Sequence, residues 1–216
     1  MTSVVVAEDQ ALLREGFRSL LETDPSIEVV GEASDGRAAV REVLRARPDV
    51  VLMDIQMPVL DGITATREIV ASGVPSRVLI LTTFDDEELV ASALRAGASG
   101  FLLKSTAGRS LASAIKQVAA GDSLLAPELT RRLIERFLVA SSSAPHALDS
   151  LTDRERDVLR GIGRGRSNAE IAAELYVGIA TVKTHINTLF AKLGIRDRAN
   201  AVVVAYESGL IRIGDP

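Results

Sequence analysis

The first 120 residues alternate between short apolar runs and segments with helical spacing. The runs are Val4–Val6, Ile27–Val30, Val50–Met53, Val78–Leu81 and Phe101–Leu103. After each run, apolar residues recur with the period of a helix face, within residues 12–21, 38–44, 63–70, 89–94 and 111–118. Continuous apolar strands that alternate with helices are typical of a parallel sheet covered on both faces. The sequence therefore predicts an α/β doubly wound fold with a five-stranded parallel sheet.

Reactive side chains stand directly after four of the five apolar runs. They are Glu8, Asp9, Asp54, Thr82 and Lys104. Parallel sheets place their sites at the carboxyl ends of the strands, near a topological switch point. We therefore expect three carboxylates, one hydroxyl and one ammonium group to converge at one edge of the sheet. The alternative for each residue alone is a charged cap on a buried strand.

This set of groups favours phosphoryl chemistry. Clustered carboxylates repel one another, which raises their pKa unless a cation lies among them. Carboxylate oxygens are hard ligands that suit Mg²⁺ with retained waters. A carboxylate beside such a metal can attack phosphorus and form an aspartyl phosphate. A hydroxyl and a lysine nearby can hold the phosphoryl oxygens and offset their charge.

Residues 148–210 read as four short helices separated by glycine-containing turns. Thr152 or Asp153 caps the first, and Gly161, Gly163 and Gly165 are expected to end it. The other three are predicted at Ala169–Tyr176, Ile179–Leu193 and Arg198–Ser208. A short helix, a tight turn and a longer helix form a helix-turn-helix. This part is therefore predicted to be a small all-α four-helix domain.

The third of these helices has one apolar and one polar face. The apolar stripe comprises Ile179, Val182, Ile186, Leu189 and Leu193. The opposite face carries Lys183, Thr184 and Asn187, residue types that suit readout of base edges in a DNA groove. The alternative is an ordinary solvated face.

Composition divides the chain and excludes several classes of protein. Ser141–His146 reads as a linker, which gives domains at 1–120 and 148–216 with a connecting segment at 121–147 and a helix at about 127–139. The first 120 residues carry a net charge of −5, and residues 148–216 a net charge of +1. The absence of cysteine, with only two histidines, argues against thiolate catalysis, iron–sulfur clusters and zinc sites. No membrane span or signal peptide is evident, so we expect a cytoplasmic protein.

Residues 1–120 resemble the receiver domain of two-component response regulators. The matching positions are Glu8-Asp9, Asp54, Met57-Pro58, Asp61-Gly62, Thr82, Phe101 and Lys104. The resemblance implies a flavodoxin-like sheet with strand order 2-1-3-4-5 and Asp54 as the phosphoacceptor. It implies Mg²⁺ held by Glu8 or Asp9, by Asp54 and by the backbone carbonyl of Gln56. It also implies that Lys104 contacts the phosphoryl group.

By the same resemblance, Thr82 and Phe101 form a switch pair. Thr82 would move toward the phosphoryl group and vacate space for the Phe101 ring. The alternative is that Phe101 is simply a core residue. The chain departs from many receivers because Ser105, and not proline, follows Lys104. The isomer of this bond is left open.

Residues 149–210 resemble the DNA-binding domain of the NarL/LuxR type. The resemblance is carried by Leu151–Glu155, Ser167–Ala172, Thr181–His185, Asp197-Arg198 and Ala201-Val202. It implies that Lys183, Thr184 and Asn187 meet base edges, and that His185, Lys192, Arg196 and Arg198 can touch phosphates. Gly178 replaces a common serine, so the recognition helix is expected to lack a cap worth about 1 kcal/mol.

The resulting hypothesis is a transcriptional response regulator, not an enzyme, that a sensor histidine kinase phosphorylates on Asp54. Phosphorylation would favour a homodimer that reads double-stranded DNA. Three alternatives compete with this hypothesis. One is a magnesium phosphohydrolase, although Gln56 stands where such enzymes place a second acid. The others are a LuxR-type receptor for a diffusible ligand and a binding module that works without phosphorylation.

Overall fold

The computed structural model describes residues 1–82, 87–121 and 148–211, without the side chains of residues 87 and 106–109. The chain forms two compact units, Met1–Leu124 and Leu125–Pro216. The predicted connecting helix at 127–139 and the linker Ser141–His146 lie outside the described residues.

The first unit is a parallel five-stranded sheet with helices between its strands. The strands are β1 (Thr2–Ala7), β2 (Ile27–Ala33), β3 (Val50–Asp54), β4 (Arg77–Thr82) and β5 (Gly100–Leu103). The helices are α1 (Ala11–Leu21), α2 (Gly36–Ala46), α3 (Gly62–Ala71), α4 (Glu87–Arg95) and α5 (Lys104–Ala119). The strand order is β2-β1-β3-β4-β5, and all four pairings are parallel. The predicted fold class and strand order are confirmed.

Burial on both faces explains why the inner strands of the sheet are continuous apolar runs. All five residues of β3 are buried, because helices cover this central strand on both sides. One face packs into a core with α1 and α5; its members include Val6, Leu52, Leu81, Phe17 and Ile115. Asp35 and Asp61 fix the starts of α2 and α3, where their carboxylates accept from the amides of Ala38 and Thr64.

The last helix of this unit begins earlier than its apolar spacing predicts. The periodic residues begin at Leu111, but α5 starts at Lys104, directly after β5. Leu103 has the extended conformation of an N-cap, so the chain turns from strand to helix with no intervening loop. No described peptide bond is cis, and the bond between Lys104 and Ser105 is therefore trans.

The second unit contains four described helices. They are α6 (Asp153–Gly163), α7 (Asn168–Glu174), α8 (Ile179–Leu193) and α9 (Arg198–Glu207). Thr152 and Ser167 begin α6 and α7 through capping boxes, each with a glutamate three residues later. Gly194, at φ 64°, ends α8 in the left-handed conformation. Among the described helices of both units, none is long and apolar enough to span a bilayer.

Two glycines that were expected to end α6 lie inside it. A Cβ on Gly161 would come within 2.8 Å of the Ile171 side chain, and one on Gly163 within 2.4 Å of Ile211. Tertiary packing therefore selects glycine at both positions, despite its poor helix propensity. Only Gly165, at φ 75°, follows the helix end in a left-handed conformation, as predicted.

The predicted limits of α7 and of the α8 stripe also need correction. Helix α7 ends at Glu174, and Tyr176 adopts a left-handed conformation at φ 55° instead of extending the helix. Val182, Ile186 and Leu189 are buried as predicted, but Ile179 is 49% exposed. Ile179 opens the first turn of α8, where it lies at the edge of the helix packing.

Candidate functional site

Three carboxylates meet at the carboxyl edge of the sheet. Glu8 follows β1 directly, Asp9 comes next, and Asp54 is the last residue of β3. One carboxylate oxygen from each lies within 4.8 Å of the others. Glu8 and Asp54 are buried, at 0% and 4% exposure, whereas Asp9 is exposed. The structure thus brings the predicted acidic residues together.

Lys104 bridges the two buried carboxylates. Its Nζ lies 2.9 Å from Glu8 Oε2 and 3.0 Å from Asp54 Oδ2. The first residue of α5 is thereby directed over the ends of β1 and β3, and its side chain is only 16% exposed. One ammonium charge among three carboxylates leaves an excess of negative charge at this edge.

Burial sets the direction of the pKa shifts at this site. Burial raises the pKa of Asp54, against the opposing effects of Lys104 and the backbone amides of Gln56 and Ile55. Burial likewise raises the pKa of Glu8, and the Asp54 charge adds to the effect. Burial works against the charged form of Lys104, but its hydrogen bonds and charge interactions with Glu8 and Asp54 outweigh it and raise the Lys104 pKa.

The loop after β3 folds tightly back onto Asp54. The Gly62 amide donates to Ile55 O at 2.8 Å, and a Cβ on Gly62 would lie 1.9 Å from Asp54 O. Only glycine fits this approach. The fold-back brings Gln56 to the wall of a pocket of about 170 Å³, whose lining is Asp9, Gln10, Asp54, Ile55, Gln56, Thr82 and Lys104.

Thr82 and Phe101 lie on one face of the sheet. Ile80 pairs with Phe101 across β4 and β5, and Thr82 is two residues beyond Ile80. Because paired residues share a face and side chains alternate along a strand, Thr82 and Phe101 stand diagonally on the same side. Both are buried, at 3% and 8% exposure. Both side chains are therefore almost fully covered in this structure.

The second candidate site is the polar face of α8. Lys183, Thr184 and Asn187 are exposed, and His185 is half-buried. The Thr184 hydroxyl donates to Ala180 O at 3.1 Å, which leaves its oxygen lone pairs and methyl group for another partner. Gly178 is the N-cap of α8 and makes no side-chain cap hydrogen bond, as predicted.

Lys192 and Arg198, both predicted to touch phosphates, make contacts inside the unit. Lys192 Nζ lies 2.7 Å from Glu155 Oε2, and Glu155 is 4% exposed. The Arg198 guanidinium donates to Asn168 Oδ1 at 2.9 Å and to Arg166 O. Arg196 is half-buried. Contacts of these three side chains with DNA stay a prediction.

Two charged residues at these sites were not predicted. Arg14 on α1 donates to the backbone carbonyl of Glu8, and Glu155 on α6 joins the capping box to Lys192. The spacing of Thr152 and Glu155 signalled the capping box, but nothing in the sequence marks the pairing with Lys192. Arg14 has the pattern of an ordinary surface residue of an amphipathic helix.

Two family descriptions match the chain. "Response regulator receiver domain" covers residues 4–116, and "Bacterial regulatory proteins, luxR family" covers residues 149–205. The first match alone spans more than half of the sequence. The chain therefore belongs to the response regulators, with a receiver domain followed by a luxR-family DNA-binding domain.

Relatives match over nearly the whole chain. The transcriptional regulatory protein LiaR of Bacillus subtilis (strain 168) is 38% identical over 212 residues, 98% of this chain and 100% of LiaR. LnrK of the same organism is 37% identical over 218 residues, 97% and 99% of the two chains. These relatives are named as transcriptional regulators, which confirms the predicted function class and the prediction that the chain is not an enzyme.

Solved structures agree with this assignment. The response regulator ChrA of a heme-sensing two-component system shares 38% identity, covers 97% of this chain and 98% of its own, and gives a TM-score of 0.53. The response regulator RcsB, solved in complex with DNA, shares 25% identity over 95% and 98% of the two chains, with a TM-score of 0.56. A receptor for a diffusible ligand would need a ligand-binding domain in the first half of the chain. The receiver match occupies that half, at residues 4–116, which argues against the receptor alternative.

Proposed function

We propose that a sensor histidine kinase phosphorylates this chain on Asp54, and that the phosphorylated form binds double-stranded DNA as a homodimer. The observation that carries the proposal is the arrangement at the sheet edge. Carboxylate oxygens of Glu8, Asp9 and Asp54 lie within 4.8 Å of one another, and Lys104 Nζ is 3.0 Å from Asp54. Such a site combines metal ligands, a nucleophile and a cation for phosphoryl oxygens.

Asp54 is the nucleophile in this proposal. One of its carboxylate oxygens forms the new bond to phosphorus, while the bond between phosphorus and the kinase histidine nitrogen breaks and the imidazole leaves. The reaction needs ionised Asp54, and burial opposes ionisation. Lys104 and the amides of Gln56 and Ile55 counter this by lowering the Asp54 pKa. After transfer, Lys104 and the Thr82 hydroxyl hold the phosphoryl oxygens.

The acidic cluster fits a divalent cation. The donors are carboxylates of Glu8, Asp9 and Asp54, and we assign the backbone carbonyl of Gln56 as a further ligand. Hard oxygen donors of this kind favour Mg²⁺. When bound, Mg²⁺ would supply positive charge between the carboxylates and the phosphoryl oxygens.

Thr82 and Phe101 transmit the change in this proposal. The added phosphoryl group carries charge and strong acceptors, which draw the Thr82 hydroxyl toward it. Phe101 stands diagonally beside Thr82 on the same face of the sheet. Its ring repacks into the space that Thr82 leaves, which alters the surface around β4 and β5.

In the second unit, Lys183, Thr184 and Asn187 read base edges, and His185, Lys192, Arg196 and Arg198 are the proposed phosphate contacts. Exposure of the first three on one helix face supports the assignment. RcsB, a structural relative at 25% identity, has been solved as dimers bound to DNA. By analogy, two recognition helices of a homodimer would read a two-part site.

We assign residues 1–120 to the receiver, 121–147 to the connecting segment and 148–216 to the DNA-binding domain. The two compact units and the two family matches support this division. We further propose that the protein acts in the cytoplasm, where the proposed kinase and DNA target would both meet it.

Sedimentation of the full chain tests the switch. The sedimentation coefficient of the chain is measured with Mg²⁺ alone and again with Mg²⁺ plus beryllium fluoride, which stands in for the phosphoryl group on Asp54. We expect a shift from monomer to dimer that Asp54→Asn abolishes. A shift that persists in Asp54→Asn would contradict the role of Asp54. A DNA response that Asp54→Asn leaves unaltered would favour the binding module that works without phosphorylation.

Competition binding tests the base readers. Lys183→Ala is expected to reduce the ratio of specific to non-specific affinity, because lysine donates to guanine acceptors in the major groove. Arg166→Ala is the matched control, since it removes one exposed positive charge outside α8. Equal selectivity in the wild type and Lys183→Ala would remove Lys183 from the set of base readers.

A further inference from the structure

Arg14 reaches from α1 back to the loop that carries the acidic pair. Its Nη1 donates to Glu8 O at 2.8 Å and lies 3.5 Å from Asp9 O. Its Nε lies 3.3 Å from Glu32 Oε2, at the end of β2. The side chain is 20% exposed, so the guanidinium is largely enclosed between α1, β2 and the loop.

The loop needs such a support because its own helix cap is weak. Gln10 is the N-cap of α1 and makes no side-chain cap hydrogen bond. Glu8 is held in three further ways: its amide donates to Ala33 O at 3.0 Å, its Oε1 accepts from the Gln10 amide at 3.3 Å, and its Oε2 contacts Lys104. Asp9 is exposed, and its carbonyl faces the Arg14 guanidinium.

We propose that Arg14 is a positioning residue for the acidic site: its guanidinium fixes the backbone of Glu8 and Asp9 and thereby sets their carboxylates for a divalent cation. The inference rests on the proposed metal-dependent function of the site. Glu32 orients Arg14 in turn. A guanidinium suits this task because its planar fork can serve the loop carbonyls and a carboxylate at the same time.

Arg18 provides a matched control on the same helix. It lies one turn beyond Arg14 and contacts the same acid, with Nη1 2.7 Å from Glu32 Oε1. Its other partner is Glu22, at 2.8 Å. Neither Glu32 nor Glu22 belongs to the acidic cluster. Arginine and glutamine have similar helix propensities, so Arg14→Gln and Arg18→Gln change α1 itself very little.

The test is a calorimetric Mg²⁺ titration of the full chain without a phosphoryl donor. We expect Arg14→Gln to weaken Mg²⁺ binding about tenfold, the lower end for a residue that orients metal ligands. Arg14→Lys should recover part of this loss, because an ammonium group can reach one loop carbonyl but cannot also hold Glu32. Arg18→Gln should stay within about twofold of the wild type. Amide hydrogen exchange should also be faster at residues 8–10 in Arg14→Gln.

The outcomes separate this inference from the function on which it rests. Wild-type affinity in Arg14→Gln would overturn the role of Arg14 and leave the metal site intact. Equal losses in Arg14→Gln and Arg18→Gln would also overturn it, because the effect would then come from the shared Glu32 contacts. If the wild type binds no Mg²⁺, and Asp9→Asn gives the same titration as the wild type, the metal site itself is refuted. Should Arg14→Gln fail to fold, Glu32→Gln tests the same support through the second partner, and wild-type affinity there would count against it.

Discussion

Replacement of Lys104 by methionine removes the cation between two buried carboxylates. Nζ lies 2.9 Å from Glu8 and 3.0 Å from Asp54, and both acids are almost completely enclosed. Methionine keeps the length and apolar character of the stem. The substitution therefore leaves packing nearly unchanged and isolates the loss of the charge.

The expected cost at neutral pH is about 3 kcal/mol in the free energy of unfolding of the first unit. Removal of one partner of a buried ion pair typically costs about 3–5 kcal/mol, because the other charge stays buried without compensation. We take the lower end because Lys104 retains 16% exposure and the pocket admits water. With a slope of about 2 kcal/mol per molar urea, the unfolding midpoint should fall by about 1.5 M.

The pH dependence has a definite sign. Burial raises the folded-state pKa of Asp54 and Glu8 above the ordinary carboxyl value, so their ionisation opposes folding as the pH rises. Without Lys104 both pKa values rise further. The cost of Lys104→Met should therefore be largest at neutral pH and shrink on acidification through the raised carboxyl pKa values. At the alkaline end, the Lys104 contribution is present up to the unfolded pKa of the lysine and is lost as the pH rises through its raised folded pKa.

Two optical probes separate the units in the full chain. Both tyrosines, Tyr176 and Tyr206, lie in the second unit, and the chain has no tryptophan. Tyrosine fluorescence thus follows the second unit, while circular dichroism follows both. Lys104→Met should lower the urea midpoint of the first unit, which only circular dichroism reports, and should leave the tyrosine-fluorescence transition unchanged. The free energy of unfolding that is lost through Lys104→Met should be smaller in a chain that also carries Asp54→Asn. Equal losses in the two backgrounds would refute the electrostatic reasoning.

Three predictions concern the second unit, all followed by tyrosine fluorescence in urea. Gly178→Ser should stabilise the second unit by a few tenths of a kcal/mol, and not by the full value of about 1 kcal/mol, because glycine is itself tolerated at N-caps. The added side chain has room, since a Cβ at this position meets nothing closer than 3.8 Å. An unchanged urea midpoint would refute the expected contribution of a serine cap. Lys192→Gln should lower the slope of the salt dependence of DNA binding by about 1 per subunit, as expected for a phosphate contact, and should cost about 1.5 kcal/mol of stability through the lost bond to Glu155; an unchanged slope would remove Lys192 from the proposed phosphate contacts. Since Lys192 lowers the Glu155 pKa, this cost should fade as the pH drops through that pKa. Arg198→Ala should lower the midpoint and weaken binding to all sequences alike; a stable variant would contradict its packing role.

Local patterns predicted the strands better than the helix ends. The inner strands β1, β3 and β4 are buried on both faces and had to be apolar runs, and each of the five predicted runs lies in a strand of the structure. Helix ends depend on packing that is distant in sequence. Gly161 and Gly163 resemble helix terminators by propensity, but Ile171 and Ile211 occupy the space in which their side chains would lie. No local pattern contains that information.

The same distinction applies to the candidate site. Asp54, Thr82 and Lys104 were predictable because topology brings strand ends to one edge, whatever the details of packing. Arg14 was not, because its partners in the loop of Glu8 and Asp9 are backbone carbonyls, and a carbonyl leaves no mark on the sequence. Lys192 was assigned by type to phosphates, but its ion pair with Glu155 depends on how α6 and α8 pack.

The internal partners of Lys192 and Arg198 bear on how the switch could control DNA binding. Each cation that is committed to a contact inside the unit neutralises DNA phosphate less readily, and residues 148–216 carry a net charge of only +1. Affinity for any DNA sequence rests largely on phosphate contacts, so a single unit with few available cations binds weakly. In a homodimer, two copies of the DNA-binding unit are joined. Once one copy has bound DNA, binding of the other is intramolecular, which multiplies the affinity without any new cation. Weak binding by one unit is thus the property that would let dimerisation, and through it the state of Asp54, decide whether the site on DNA is occupied.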